Sequence, residues 1–349
     1  MNRDTLQLNP VMQDLRSSVA DLNTVNSWLG LLRFCSLGVV CLSLMVFAWW
    51  SPNLWGFVGY SAIAGFVYAL WFICTHDATH HTLTGWNWFD EGLPRLISYP
   101  MLWMHGVYAQ LHRLHHGWNG TNLHDPERVQ WTVEEYQNAS PWVQWYVRHQ
   151  WEIDLFVLGG FGMIGKTLIK GWQLGEQIPA IRRSWFVDVM GIVLVQVSCF
   201  TWAILSNHLW RYLLFWLILE RVIGSVIQAR DHLEHYGMWS RAEGYQLTQL
   251  YSSRNLTVHP IVAWFVGGLN YHSIHHAFPS IPFDQLPKAF CRIQTVLEQH
   301  HLPPMTVGLG YVRETRRLSQ QPLLIGAPDL SAASGRYQMV NPLTEIVKN

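Results

Sequence analysis

The amino-acid sequence predicts an all-α integral membrane protein with four transmembrane helices, arranged as two hairpins, and a cytoplasmic helical cap that holds a His-rich metal site. Half of the 349 residues are hydrophobic and only 13% are charged. Four apolar runs approach the roughly 20 residues that a bilayer-spanning helix needs. The chain also contains 20 Trp and 18 His. Tryptophan is typical of membrane interfaces, and histidine is typical of metal sites.

Composition excludes several other classes of protein. Lys plus Arg and Asp plus Glu number 23 each, so no basic excess is present for phosphates and we expect no nucleic-acid partner. The hydrophobic content excludes a disordered chain. The five cysteines show no paired spacing, and we interpret them as small core residues rather than disulfides or zinc ligands. The first residues lack an uninterrupted apolar stretch, so we expect no cleaved signal.

The spans are predicted from four apolar runs with tryptophans near their ends. Residues 51–53 alone join the first two runs, and a short polar joint with Asn207 and His208 links the other two. Such short joints predict helical hairpins and argue against a large soluble bundle. Residues 75–186 and 230–321 carry nearly all the charge, which places them in the cytoplasm by the positive-inside rule. The predicted spans are about 28–50, 54–74, 189–205 and 210–229.

The remaining segments flank or interrupt a membrane domain at 28–319. Residues 1–27 are predicted to form an N-terminal amphipathic, cytoplasmic segment, and residues 320–349, rich in Ser, Pro, Gly and Ala, a loose tail. Apolar stretches at 155–164 and 261–269 are too short to span, so they are interpreted as interfacial or re-entrant. The apolar positions at helical spacing near the N-terminus are Val11, Met12, Leu15, Val19 and Leu22.

Eleven of the 18 histidines fall in four tight groups. Residues at i, i+3 and i+4 share one helix face, so each HxxHH sequence is expected to present three imidazoles on one side. Because an even number of spans separates the groups, all four are expected on the same membrane face. The groups are His76, His80 and His81; His112, His115 and His116; His232 and His235; and His272, His275 and His276.

So many imidazoles predict more than one metal ion, because a transition metal takes about four to six ligands. Imidazole suits Fe, Zn, Cu and Ni alike, so the count alone does not identify the metal. Acidic neighbours are expected to orient the ligating imidazoles through the other ring nitrogen. These candidates are Asp77, Asp125, Asp231 and Glu234, and the amide of Gln228 is a further candidate for the same orienting role.

One stripe of the fourth predicted span leads from mid-membrane toward the histidines. An ionisable residue inside a membrane is a functional hypothesis by default, so Glu220 is a candidate for the substrate path. The alternative is that Arg221, or Arg33 of the first span, simply neutralises it. Both interpretations stay open from the sequence. The stripe consists of Glu220, Gly224, Gln228, Asp231 and His235.

The motifs are HDATH at 76–80, HRLHH at 112–116 followed by TNLHDPE, EHYG after the fourth span, and NYHSIHHAFPSIPFDQLP at 270–287. With these motifs, roughly residues 50–305 resemble the membrane-bound fatty acid desaturases and the related carotenoid and sterol hydroxylases and ketolases. The resemblance implies a His-ligated di-iron centre with two Fe ions. Such a centre uses O2 and two electrons to remove hydrogens from an unactivated methylene pair of a lipid acyl chain.

Carried over to this sequence, the resemblance implies nine metal ligands. His81 and His232 are extra to the family pattern, and His232 with Gln228 could instead supply the ligand from the fourth span. That assignment stays open. The nine implied ligands are His76, His80, His112, His115, His116, His235, His272, His275 and His276.

Departures from family patterns bear on substrate and electron donor. The first box is not HRxWxH, which argues against the acyl-CoA Δ9 branch, and the third box begins with His272 where front-end desaturases have Gln. No HPGG haem motif is present, so electrons are expected from a separate protein of the ferredoxin or cytochrome b5 type. A hydroxylase or ketolase acting on a carotenoid or alkyl chain is the alternative. A zinc-handling membrane protein would instead carry its ligands within the spans.

Overall fold

The computed structural model describes residues 10–329 and 331–343. Most of them are helical, and a π-helix (Ile153–Leu158) and two 3-10 helices (Ala20–Leu22 and Tyr99–Met101) interrupt the series. The α-helices are α1 (Pro10–Val19), α2 (Ser27–Trp50), α3 (Leu54–Thr79), α4 (Asn87–Ser98), α5 (His105–Trp118), α6 (Val133–Asn138), α7 (Pro141–Arg148), α8 (Gln150–Glu152), α9 (Gly159–Gly175), α10 (Pro179–Leu205), α11 (Leu209–His235), α12 (Tyr245–Tyr251), α13 (Pro260–Phe265), α14 (His272–Ala277), α15 (Leu286–Gln299) and α16 (Tyr311–Ser319).

Within the described ranges, four helices are long and apolar enough to cross a membrane: α2, α3, α10 and α11. They form the two predicted hairpins. Three of them exceed the predicted bounds, since α3 continues to Thr79, α10 already begins at Pro179 and α11 continues to His235. Hydropathy marks only the part of a helix that contacts lipid, whereas backbone hydrogen bonding carries the helix beyond it. The extensions place histidines on the last turns of α3 and α11.

The membrane helices pack around a core in which α3 contacts both α2 and α11. Leu37, Ala69 and Leu219 from these three helices are buried in it. Small residues allow the close approach, because a Cβ at Gly65 would lie 3.0 Å from the Val222 side chain of α11. Helix α10 instead packs on α5 and α9. Since α9 also contacts α5 and α11, and α3 contacts α5 and α11, these four helices pack together.

The polar pair in the fourth span secures a break in the neighbouring helix. Arg221 donates hydrogen bonds to the carbonyl oxygens of Val157 (2.6 Å) and Leu158 (2.8 Å) at the end of the π-helix. Glu220 forms an ion pair with Arg221 and accepts a hydrogen bond from the Phe161 amide (2.7 Å) at the start of α9. Backbone groups at membrane depth need such partners. The ion pair with Arg221 is therefore observed, whereas Arg33 pairs with Asp77 instead; the role of Glu220 in the substrate path stays a prediction.

The cap contains the short helices, α15 and small β-pairings. Helix α1 buries Met12, Leu15 and Val19 in a core with α12, α14 and α15. The predicted N-terminal segment also includes residues 1–9, which lie outside the described residues. Strand β1 (Asn255–Leu256) pairs in parallel with β2 (Val307–Gly308), and both lie near the start of α14 in the fold.

The structure differs from the loose tail expected after residue 320. Strands β3 (Leu324–Pro328) and β4 (Tyr337–Val340) form an antiparallel pair. Leu324 and Ile325 are buried, and the Ile325 amide donates to the Trp131 carbonyl (2.9 Å). The overall composition of the tail hid this short apolar segment, which is long enough to anchor it. Residues 330 and 344–349 lie outside the described part of the chain.

Two smaller expectations concern cysteines and short apolar stretches. Cys41 and Cys74 are buried as interpreted, but Cys35 and Cys291 are exposed, so the core interpretation is wrong for them. Those two positions lie on the outer faces of their helices, which an apolar sequence run does not reveal. The stretch 155–164 covers parts of the π-helix and α9, and 261–269 covers most of α13. Neither forms a spanning helix.

Candidate metal centre

The four histidine groups converge in the cap beneath the membrane helices. The last turn and C-terminal cap of α3, helix α5, the end of α11 and helix α14 each contribute imidazoles. Ring centroids of His76 and His275, which are 199 positions apart in the chain, lie only 4.5 Å apart. The residues brought together are the nine that the family resemblance implies: His76, His80, His112, His115, His116, His235, His272, His275 and His276.

These imidazoles divide into two adjoining groups. The first group consists of the five histidines whose ring nitrogens lie within 4.8 Å of one another. The second group consists of four histidines, His235 and the three around it. The groups touch where the rings of His116 and His276 stack at 4.2 Å. The first group is His76, His80, His112, His116 and His275, and the second is His115, His235, His272 and His276.

Each HxxHH helix serves both groups, which the sequence did not predict. On α5, His112 belongs to the first group and His115 to the second. On α14 the assignment is reversed, since His275 belongs to the first group and His272 to the second. Residues i+3 and i+4 point about 100° apart around a helix axis. One helix face is therefore wide enough to contact two neighbouring sites.

Carboxylates hold several imidazoles from the side that faces away from the cluster. Asp125 lies 2.8 Å from Nδ1 of His115, and Asp77 lies 3.2 Å from Nδ1 of His76. In both cases an Nδ1–H that donates to the carboxylate leaves the lone pair on Nε2. The orienting role expected of these two aspartates is therefore compatible with the geometry.

Two further orienting residues were not predicted. Glu127 lies 2.9 Å from Nδ1 of His112, and the Gln249 amide oxygen lies 3.0 Å from Nδ1 of His276. Glu127 is the last residue of the TNLHDPE motif that follows HRLHH, so its position in that motif could have identified it. Gln249 lies in α12, away from any motif, and only the tertiary fold shows its role.

The inward-facing nitrogens fit a metal in each group. Two Nε2 atoms, those of His115 and His272, lie 3.2 Å and 3.0 Å from Nε2 of His235. Lone pairs facing each other at such distances repel unless a proton or a cation lies between them. Several other buried Nε2 atoms have no hydrogen-bond partner among the described residues, and a metal would satisfy them. They belong to His76, His80, His275 and His276.

Burial keeps most of these imidazoles neutral, the form that binds metal. Burial, with a contribution from Arg113, lowers the pKa of His80 to about 3. For His115, burial also acts to lower the pKa, but the charge and hydrogen bond of Asp125 raise it to about 9. Burial, followed by neighbouring imidazoles, lowers the pKa well below its usual value in His112, His116, His272, His275 and His276.

Arg33 reaches this network from the first span. Its Nη1 lies 2.6 Å from Oδ2 of Asp77, whose other oxygen contacts His76, and both charged side chains are buried. A Cβ at Gly267 would lie only 2.5 Å from the guanidinium, so this glycine, whose φ is +64°, leaves room for Arg33. Arg33 thus links α2 and the segment after α13 to a ligand-bearing turn.

The remaining predicted residues lie outside the two groups. Nδ1 of His232 lies 3.0 Å from the Gln228 carbonyl oxygen, and its Nε2 lies 3.0 Å from Asp154. The geometry therefore favours His235 as the α11 ligand. His81 is in neither group. The Gln228 amide donates to the Gly159 carbonyl (3.2 Å). Among the described residues, Asp231 makes no hydrogen bond to an imidazole.

A cavity of about 110 Å³ extends from the first group toward the middle of the membrane helices. His76 and Glu127 line it at the end near the histidines, and Glu220 lines it farther along α11. Glu220 and Asp231, which also lines it, are separated by about 16 Å along that helix, from the rise of 1.5 Å per residue. The wall between them is mostly apolar: Phe72, Ile73, Met101, Leu111, Met163, Ile164, Ile223 and Ile227.

Comparison with known proteins gives a consistent result. The model of the fatty acid desaturase family matches residues 50–308. The Delta(8)-fatty-acid desaturase of Euglena gracilis is 24% identical over 66% of this chain, and the match spans 58% of that enzyme. The sn-1 oleoyl-lipid 12-desaturase of Picosynechococcus is 22% identical over 83% of this chain and 82% of its own length. The sn-1 linoleoyl-lipid 6-desaturase of Arthrospira platensis is 25% identical over 74% of this chain and 77% of its own length.

Proposed function

Because the chain belongs to the fatty acid desaturase family, we propose that it is an O2-dependent desaturase that introduces a double bond into the acyl chain of a membrane lipid. The protein is an integral membrane oxidoreductase of that family, and its described residues include four helices that are apolar and long enough to span a membrane. Two relatives that align over most of their own length are named acyl-lipid desaturases. Their substrate class supports a lipid-linked acyl chain for this enzyme.

The observation that carries the proposal is the position of two histidine groups at the end of an apolar cavity inside a membrane protein. Removing hydrogen from an unactivated methylene pair needs an oxidant stronger than any side chain, and therefore a redox cofactor. Two irons held by the first and second groups would supply that chemistry with O2 and two electrons from a separate donor. Overall, one O2, two electrons and two protons convert a CH2–CH2 pair into CH=CH and two waters.

The chain's own residues bind and align the substrate. The apolar cavity wall stabilises an extended or bent acyl chain by burying it, at about 25 cal/mol per Å², and it keeps water away from the reacting carbons. The cavity meets the ligand cluster at His76, so a methylene pair held there is next to the first group. Asp125 and Glu127 fix two of the ligand rings in the tautomer that points Nε2 inward.

The metal site is proposed to face the cytoplasm. The segment between the hairpins carries basic residues such as Lys166 and Lys170, and Arg182 follows in the first turn of α10, as the positive-inside rule expects at the cytoplasmic side. A soluble ferredoxin or a cytochrome b5-type protein could then reach the cap and deliver electrons. The acyl chain would enter from the lipid phase without crossing water.

The test is expression in a host with a simple lipid profile and a matching electron donor, followed by mass spectrometry of the total fatty acids and pigments. We expect a new fatty acid that has lost one H2, absent with the His275→Ala variant and present with the control His149→Ala, whose ring is exposed and outside both groups. A product that gains one oxygen atom would instead identify the hydroxylase or ketolase alternative. Full turnover by His275→Ala would contradict the proposed ligand set.

A further inference from the structure

Glu234 contacts the cluster differently from the other acidic residues. Asp125 and Glu127 meet their imidazoles at Nδ1, on the side away from the cluster. The Glu234 carboxylate instead lies 3.3 Å from Nε2 of His272. Its side chain is almost completely buried, with 2% exposure. A carboxylate that only oriented the His272 ring would be expected at its other ring nitrogen, Nδ1.

The nitrogen that Glu234 contacts is one of the convergent ligand atoms. Nε2 of His272 lies 3.0 Å from Nε2 of His235. The ligand atoms of Glu234, His235 and His272 all lie within 4.8 Å of one another. The carboxylate oxygen therefore shares the space into which the lone pairs of the second group point.

The number of donors in each group gives this position a chemical meaning. The first group has five imidazoles, whereas the second has four. One carboxylate oxygen would bring the second group to five donors as well. It would also place a negative charge beside a divalent cation, whose positive charge neutral imidazoles do not compensate. We propose that Glu234 is a metal ligand of the second group, so that the two metals have unlike donor sets, five nitrogens against four nitrogens and one oxygen. This inference rests on the proposed dinuclear function.

Arg230 is the competing explanation for the buried carboxylate. Its Nη1 lies 3.1 Å from Glu234, one turn earlier on α11. An ionised carboxylate has about four acceptor positions on two oxygens, so it can bind a guanidinium and a metal at once. A buried arginine this close to a metal cluster would be repelled by the cations unless an anion lay between them. Glu234 occupies that intermediate position.

The experiment compares Glu234→Gln with two matched variants in the full-length protein purified in detergent. Arg230→Gln removes the guanidinium but keeps the Glu234 carboxylate, and Asp125→Asn removes a carboxylate whose imidazole contact is to Nδ1 rather than Nε2. Iron per chain is measured before and after competition with a ferrous chelator. We expect Glu234→Gln to retain about one iron of two, Arg230→Gln to retain both, and Asp125→Asn to weaken binding by about 10- to 100-fold.

The assignment is overturned if Glu234→Gln retains both irons with wild-type chelator resistance. It is also overturned if Arg230→Gln loses as much iron as Glu234→Gln, or if Asp125→Asn loses one iron as selectively as Glu234→Gln does. If Glu234→Gln is not monodisperse, Glu234→Asp takes its place, because it keeps a carboxylate near Arg230 but shortens its reach toward the second group. Loss of about one iron by Glu234→Asp supports the assignment, and wild-type iron content with wild-type chelator resistance contradicts it. A wild-type protein that binds no iron would instead refute the proposed function. A wild-type protein with two irons and desaturase activity would leave that function intact if Glu234 failed the test.

Discussion

Replacing Arg33 with methionine leaves a buried carboxylate without its countercharge. Arg33 and Asp77 have side-chain exposures of 0% and 6%, and their closest atoms lie 2.6 Å apart. Methionine fills much of the same space but carries no charge. Asp77 also contacts Nδ1 of His76, so the change reaches the first metal group without altering a ligand.

The expected magnitude follows from the burial of the pair. Removing one partner of a buried ion pair costs about 3–5 kcal/mol, because the remaining charge is left uncompensated. Removing both charges in Arg33→Met/Asp77→Asn is expected to recover about 1–3 kcal/mol relative to the sum of the single variants. Metal affinity should fall by about 10- to 100-fold in Arg33→Met, since Asp77 no longer holds His76 in place.

The assay is reversible unfolding in mixed detergent micelles, followed by tryptophan fluorescence, together with iron retention against a chelator. Arg211→Met is the control, because Arg211 donates hydrogen bonds to Ala48 and Trp49 at the other end of α2. It should lower stability without changing iron retention. A double variant as unstable as the two single variants combined would refute the coupling of Arg33 to Asp77.

Three further predictions follow from the packing and the cavity. Gly224→Ala is expected to abolish the yield of folded protein, because its Cβ would lie 1.8 Å from a backbone nitrogen of α9. Gly59→Ala is the control, since a Cβ there would have nothing within 4 Å, and it should match wild type in size-exclusion chromatography. Ile164→Trp narrows the cavity, so lipid analysis should show a shift toward shorter acyl substrates, and the exposed Leu168→Trp should leave the profile unchanged. Glu220→Gln is expected to change chain-length preference because Glu220 lines the cavity; an unchanged product profile and rate would assign it only to the helix break.

Much of the fold was predictable because lipid contact imposes a strong pattern on sequence. Long apolar runs, short joints and terminal tryptophans predicted four spans in two hairpins, and this is confirmed. Helix ends were less predictable, because backbone hydrogen bonding continues through polar residues. Helix α3 therefore continues past His76 to Thr79, and α10 begins at Pro179, before the predicted start of that span. The tail was also misjudged, because two buried residues, Leu324 and Ile325, outweigh its polar composition.

The histidine cluster was predictable from spacing, but its internal arrangement was not. Helical periodicity indicates which residues share a face, whereas the division of each HxxHH between two groups depends on how α5 and α14 approach each other. Gln249 and Arg33 contact the ligand network from distant parts of the chain. No local pattern identifies such partners, because their roles arise only when the helices pack.

The most direct test of the central claim is the metal content of the wild-type protein, combined with X-ray absorption at the iron edge. The account predicts about two irons per chain, with a first coordination shell dominated by imidazole nitrogen. Zinc in place of iron, one metal or none per chain, or a shell dominated by oxygen would contradict a di-iron centre built from the two histidine groups.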